Sequence, residues 1–343
     1  MAYGIKALRR LQLGREATPG TIVPATTVWR GEGVLEDTRL VNFPVEDIGI
    51  IPSTTRSYQP LYGGQISLTP TPFTFEQGPH LFEMGVMTAT PTTDSSGSGY
   101  VRTYTMPTTT PMYLSPSTSS APIKSYTIEG GDNNEAEVME FSFVQDITLD
   151  FKAGEAVMAS ATIMGRQVAL QAFTSSTAAT VPTVSEILTS KGKIYVDSTT
   201  ATIGTTQITN EILSGSLKIT TGIKAVPTAD GSLVFSFIKG VRPEIVLSLT
   251  FEHSTFAKAE KVFWRAGTPR QYRLKFEGPA LTSAGTYTYK TFIANIAGTY
   301  EKFSALEDED GDDTITATLR AGYNSTAALF ANFVFVNELS ALP

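Results

Sequence analysis

The chain has 343 residues, a formal net charge of -7 and no cysteine. Its length suits two domains or one large all-β unit, and the missing cysteines exclude a disulfide scaffold, a thiolate metal site and a cysteine nucleophile. The acidic balance speaks against the basic patch that a grip on nucleic acid needs.

The chain starts with MAYGIKALRRLQLG. Arg9 and Arg10 come late and no long apolar run follows, so it does not read as a secretory leader. No later run is long and apolar enough to predict a membrane-spanning helix. LGREATPGTIVPATTVWRG, residues 13–31, then follows neither a strand period nor a helix period. Pro19-Gly20 signals a turn, and Pro24 keeps its flank extended. Such a stretch buries little by itself. Residues 1–30 are therefore expected to form an arm that packs on another chain, through Leu13, Arg15, Glu16, Pro19, Trp29 and Arg30. Arg15 and Glu16 are its ion-pair candidates. Removing residues 1–24 is expected to leave a folded chain that does not assemble.

Strand patterns dominate the rest. Thr and Ser fill many polar positions, and β-branched Thr favours pleated surface. Apolar and polar residues alternate over 65–70, 123–130, 138–151 and 156–164. They do so again over 216–223, 232–240, 244–251, 271–276, 286–300, 314–323 and 328–339. A period of two places one face of each run on a core. Gly, Pro, Asn and Asp clusters separate the runs. Two segments break the pattern. Residues 71–87 carry Phe75, Leu81, Phe82 and Met84 around Gly78-Pro79, which predicts a short or kinked helix. Residues 254–267 predict a better one, with Ser254 as its cap, an apolar stripe through Phe256, Ala259, Val262 and Phe263, and Gly267 and Pro269 as its end. The loops at 50–62 and 88–122 are long and rich in Ser, Thr, Pro and Gly, and are expected to order against a neighbouring subunit.

The order strands, helix, strands occurs twice. Ala161-Thr162-Ile163 in the first half matches Ala317-Thr318-Leu319 in the second. This predicts a tandem repeat: an arm at 1–30, a first β module at 31–172, a linker at 173–190 and a second β module at 191–343. The expected fold is mainly β, with sandwich or barrel-like modules that each carry one short flanking helix.

Chemistry is sparse. His80 and His253 each stand at a helix start, beside Pro79 and Ser254. No G-x-S-x-G elbow, phosphate loop or dinucleotide fingerprint occurs. The run EDEDGDD, residues 307–313, lacks the spacing of a calcium loop and reads as a solvated hairpin tip. Basic residues are scattered. No catalytic, cofactor-binding or metal-ligating residue is assigned, and no enzyme activity is expected.

LGREATPGT and TTVWRGEG near the start, EDTRLVNFPVEDIG after them and the closing TATLRAGYNSTAALFANFVFVNELSAL together carry a resemblance. The chain resembles the tail tube (major tail) proteins of long-tailed bacteriophages, siphophage type, in the long form with two fused tube modules. That resemblance implies a structural virion protein, made in the host cytoplasm, whose sheets join across subunits into stacked rings. The rings would be hexamers, or trimers of a two-module chain. Its partners would be further copies of itself, tail terminator, tape measure and distal tail proteins, and phage DNA passing through an acidic lumen without specific binding or membrane contact. Glu140 and Asp146 are the lumen candidates, because alternation along 138–151 places them opposite the core face. A different virion or extracellular β-sandwich that binds carbohydrate, an adhesin, is the alternative. It would need exposed aromatic platforms, and the chain has only Trp29 and Trp264 as tryptophans.

Overall fold

Alternating sequence becomes strand over most of the chain, and the fold is mainly β. The computed structural model describes residues 3–52, 55–117 and 122–343. The first half contributes β1 (Arg10–Arg15), β2 (Thr27–Val28), β3 (Gly33–Asp37), β4 (Leu40–Asn42), β5 (Tyr58–Leu61) and β6 (Gly64–Pro72). Then come α1 (Gly78–Gly85), β7 (Thr92–Thr93), β8 (Tyr100–Thr105), β9 (Tyr113–Leu114), β10 (Tyr126–Gly131), β11 (Ala136–Lys152), β12 (Met158–Gly165) and β13 (Val168–Leu170). The second half contributes β14 (Gly192–Ser198), β15 (Gln207–Ile208), β16 (Ile212–Thr220), β17 (Ile223–Val226), β18 (Phe237–Gly240) and β19 (Glu244–Glu252). It ends with α2 (Thr255–Arg265), β20 (Arg270–Ala280), β21 (Tyr289–Phe303), β22 (Glu307–Glu309), β23 (Asp312–Ala321) and β24 (Ala331–Asn337).

The ladders of the two halves follow the same scheme. In the first, β3 pairs β6, β6 pairs β12 and β12 pairs β11. The start of β11 pairs β10, which pairs β1, which pairs β2. In the second, β16 pairs β19, β19 pairs β23 and β23 pairs β21. The start of β21 pairs β20, which pairs β14, which pairs β15. Registers agree as well. Ala161, Thr162 and Ile163 stand opposite Leu68, Ser67 and Ile66, while Ala317, Thr318 and Leu319 stand opposite Leu249, Ser248 and Leu247. A register shift interrupts β11 between Val144 and Asp146, and another interrupts β21 between Tyr300 and Lys302. Such bulges bend a strand and let its two ends serve different sheets. The halves join where the end of β11, residues 146–152, pairs β16.

The core crosses the expected module boundary. Phe82 of α1 lies 4.8 Å from Phe333 and 5.2 Å from Phe335, ring centre to ring centre, and Phe73 meets Phe292 edge-on at 5.6 Å. β8, from the first half of the sequence, pairs β24. These contacts make one apolar cluster of side chains from both halves.

Three expectations change. The segment 1–30 is not a free arm: β1 pairs β10 and β2 pairs β1, and Leu11 and Leu13 are buried. β1 escapes a period-two reading because Leu11, Gln12, Leu13 and Gly14 are all buried, so both its faces are covered. Removing residues 1–24 would therefore strip a strand from the sheet. Second, the segment 173–190 does not span a gap between modules. It runs along the first half, where Thr180 bridges Thr27, Glu186 bridges Thr74, Leu188 bridges Ala156, and Ile187 is fully buried. Third, the loop 88–122 contains β7, β8 and β9, with Arg102 and Tyr104 buried inside. Residues 118–121 of that loop and 53–54 of the loop 50–62 lie outside the described residues, as do residues 1–2 of the expected arm. The helices fall where expected, and the Ser254 hydroxyl accepts from the backbone N–H of Phe256 at 3.1 Å and Ala257 at 3.3 Å. Among the described residues no helix is long and apolar enough to cross a membrane.

Candidate functional site

The joined ladders place eight strands side by side in the order β3, β6, β12, β11, β16, β19, β23, β21. Alternation sorts their side chains onto two faces. One face is core, with Ile66, Leu68, Ile147, Leu149, Ile163, Leu217, Leu247 and Leu319 buried. The other is open and rich in hydroxyls: Ser67, Thr148, Ser160, Thr162, Ser216, Ser248, Thr250, Thr316 and Thr318. Matched positions repeat the residue type, Ser67 with Ser248 and Thr162 with Thr318. The Thr250 and Thr316 hydroxyls lie 3.1 Å apart across neighbouring strands, and those of Ser248 and Thr318 3.4 Å apart. Such cross-strand Thr pairs support a sheet while keeping its surface polar.

Both signs of charge occur on this face. Glu36, Asp150, Lys218, Glu244 and Arg320 are exposed. Arg320 braces Glu244 at 2.9 Å and Glu301 at 3.8 Å. Asp146 belongs here: it is half-buried at the joint of the halves and accepts from the Thr220 hydroxyl at 2.6 Å. Glu140 does not. It is 8% exposed and faces Arg166 at 3.8 Å. The reason is local: residues 138–144 of β11 are covered on both faces, and the φ of +51° at Phe141 interrupts the alternation there. Burial pushes the Glu140 carboxyl up; Arg166 opposes this and Glu16 adds to it.

The remaining predicted residues are bound within their own chain. Arg15 grips both oxygens of Glu83, at 2.6 and 2.8 Å. Glu16 is buried and accepts from Ser125 at 2.6 Å, Gly20 N–H at 2.7 Å, Phe141 N–H at 2.8 Å and Thr127 at 3.1 Å. Burial raises its pKa, and those hydrogen bonds pull against the rise. Pro19 is buried in the turn that ends at Gly20, whose φ is +75°. Trp29 is 8% exposed, and Arg30 Nε donates to the Pro182 carbonyl at 2.7 Å. Trp264 packs on Phe303 at 5.5 Å, so neither tryptophan is an open platform. The run 307–313 forms the exposed β22–β23 hairpin.

Two buried polar centres were not foreseen. Glu83 of α1 accepts from Tyr126 at 2.6 Å, and His80 Nδ1 lies 3.0 Å from the same Tyr126 hydroxyl. Burial, with Arg15 and Arg102 nearby, depresses the His80 pKa to about 3. Glu260 of α2 holds Arg270 at 2.7 and 3.0 Å and accepts from Tyr300 at 2.7 Å. Tyr300 in turn meets Tyr272. A charged residue inside an apolar helix stripe was the signal available in the sequence. In both centres the glutamate, arginine and tyrosine groups named above find partners within the chain, as structural centres require, while the buried Tyr104 hydroxyl close to Glu83 has none. Among the described residues no three His, Asp or Glu side chains gather to hold a metal ion.

The eight-strand sheet has two open ends. The outer edge of β3 and residues 299–303 of β21 have no strand partner on their free sides among the described residues. A groove of about 180 Å³ runs beside β3, lined by Val34, Leu35, Gly130, Glu135 and Glu137 among others. No protein-family model matches the chain, and no curated protein matches it.

Proposed function

We propose that the chain is a structural subunit that assembles with copies of itself into rings, and that stacked rings form a bacteriophage tail tube through which DNA passes. One observation carries this reading. Inside the chain the end of β11 pairs β16. At the two ends of the sheet, the matching strands β21 and β3 are left open. Unpaired edges are templates for another chain, and a closed barrel leaves none. If the halves are two copies of one module, the joint inside the chain is the pattern for the joint between chains. Lys302 of one copy would then stand opposite Thr38 of the next, Ser304 opposite Glu36, and Leu306 opposite Val34. A ring of three such chains would repeat the module six times.

The open hydroxyl face suits the inner wall. Small neutral side chains stay hydrated, and its scattered charges of both signs form no basic patch, so a nucleic acid can slide along such a wall without being held. The Glu36, Asp150 and Glu244 carboxylates and the Lys152, Lys218, Lys302 and Arg320 cations are spaced among Ser and Thr, which gives a hydroxyl-rich surface of mixed charge without a basic patch. The virion is the expected location. Native mass spectrometry and electron microscopy of the concentrated protein test the reading. Closed three-chain rings or tubes are expected. A chain that stays monomeric at every concentration and ionic strength contradicts it.

A further inference from the structure

Between β3 and β6 the chain makes an excursion that contains the β4–β5 hairpin, and between β16 and β19 a matching one that contains the β17–β18 hairpin. The two meet different fates. The β17–β18 hairpin is seated on the first half. Its Ile223, Phe235 and Ile238 form a buried cluster with Phe141 and Phe143 of β11 and with Met112 and Leu114. The Phe235 ring lies 5.1 Å from Phe141 and 6.2 Å from Phe143. The β4–β5 excursion has no such seat. It holds out Phe43 at 67% exposure, Val45 at 83% and Ile51 at 102%, with Ile48, Ile50 and Tyr58 also exposed. Six large apolar side chains held out in water by one excursion mark it as an interaction surface.

We infer that this hairpin docks on the second half of a neighbouring copy, as β17–β18 docks on the first half within the chain. The inference rests on the ring reading above and extends it. The repeat also names the seat. Phe143 and Met164 stand opposite each other on β11 and β12, and Thr299 and Arg320 occupy the same positions on β21 and β23. Thr299 and Arg320 are exposed, as is Tyr323 just beyond them, at 59%. The seated hairpin further touches the base of the first excursion, where Tyr62 N–H donates to the Leu233 carbonyl at 2.7 Å. The matching base on the second half is near Val241, which is 57% exposed. The occupant is thus a second copy, held sideways within a ring.

A photoreactive benzoylphenylalanine in place of Phe43 tests this in the assembled protein. Cross-links to residues 297–323 or to the neighbourhood of Val241 in another copy are expected. Cross-links elsewhere, including to a copy in a stacked ring, overturn the inference while leaving the ring reading standing. Failure of the unmodified protein to assemble overturns both. A Val45→Asp, Ile51→Asp variant provides a second measurement. Because both side chains point into solvent, its monomer should melt as the parent does, while the concentration needed for assembly rises at least tenfold. Unchanged assembly would contradict the inference.

Discussion

The two halves hold their short helices in different ways. Every residue of α1 is buried, and its N-cap residue Gln77 makes no capping hydrogen bond. α2 buries only Ala257 and Glu260, and its first turn is satisfied by Ser254. Burial orders the first helix, and capping with a half-open apolar stripe orders the second. What they share is a glutamate on the inner side, tied to the sheet by an arginine and a tyrosine. The glutamate is therefore the fixed element of the helix-on-sheet contact, and the rest of the helix is free to differ.

The comparison can be broken in order of expected effect. Deleting residues 1–24 removes β1, with Leu11, Leu13 and the Arg15–Glu83 pair. The first half should lose cooperative folding, seen as a lost near-UV signal. A deletion that melts like the parent would restore the free-arm reading. Next, Glu260→Ala leaves Arg270 stranded with 10% of its side chain exposed, and should cost about 3–5 kcal/mol in a denaturant titration. Glu83→Ala should cost less, about 1–3 kcal/mol, because Arg15 is 34% exposed and can turn to water. Equal costs would mean that exposure of the arginine does not set the penalty.

The His80 effect depends on pH. The folded state holds this imidazole neutral down to about pH 3, whereas an unfolded histidine takes its proton near pH 6.5. Its contribution is complete above about pH 6.5 and falls as the pH drops towards 3, by up to about 1.4 kcal/mol per pH unit. Glu16 and Glu140 act in the opposite sense, since their raised pKa values favour the folded state on the acid side and that gain is lost as the pH rises through them. The difference between the parent and His80→Gln isolates the histidine. The variant should show a flatter stability profile between about pH 4 and 6.5. A parallel profile would contradict the assignment. Smallest is Ser254→Ala, which should cost about 1 kcal/mol by loss of the cap. Gln77→Ala has no cap to lose, though its side chain accepts from Arg30 N–H and donates to the Val28 carbonyl. Its cost should appear as loosening of residues 27–30 in hydrogen exchange.

Much of this was legible in the sequence. Strands β19 and β23 and the end of β11 alternate because one face is core and the other open, whereas residues 138–144 of β11 and 291–298 of β21 are buried on both faces. Ala161-Thr162-Ile163 and Ala317-Thr318-Leu319 both lie in antiparallel ladders of the large sheet, opposite Leu68–Ile66 and Leu249–Leu247. β1 was hidden because it is covered on both faces and its partner β10 lies more than a hundred residues away in the chain. Glu140 was misplaced because alternation assumes an unbroken strand with one open face, whereas residues 138–144 are covered on both faces and Phe141 interrupts the alternation. The glutamate centres were hidden because their partners converge from distant segments, Arg15 on β1 and Tyr126 on β10 in the first half.

The central claim is that the joint inside the chain is repeated between chains. A chain without cysteine allows a direct comparison of two engineered pairs. Directly opposed strand residues are close enough for a disulfide. Thr148→Cys with Lys218→Cys, which face each other at the internal joint, should close a bond within one chain. Glu36→Cys with Ser304→Cys should link separate chains, and non-reducing electrophoresis of the oxidised assembly should show covalent species ending at a closed ring of three. If the internal pair closes while the second pair leaves only monomers, the joint between copies is not built on the pattern of the joint within.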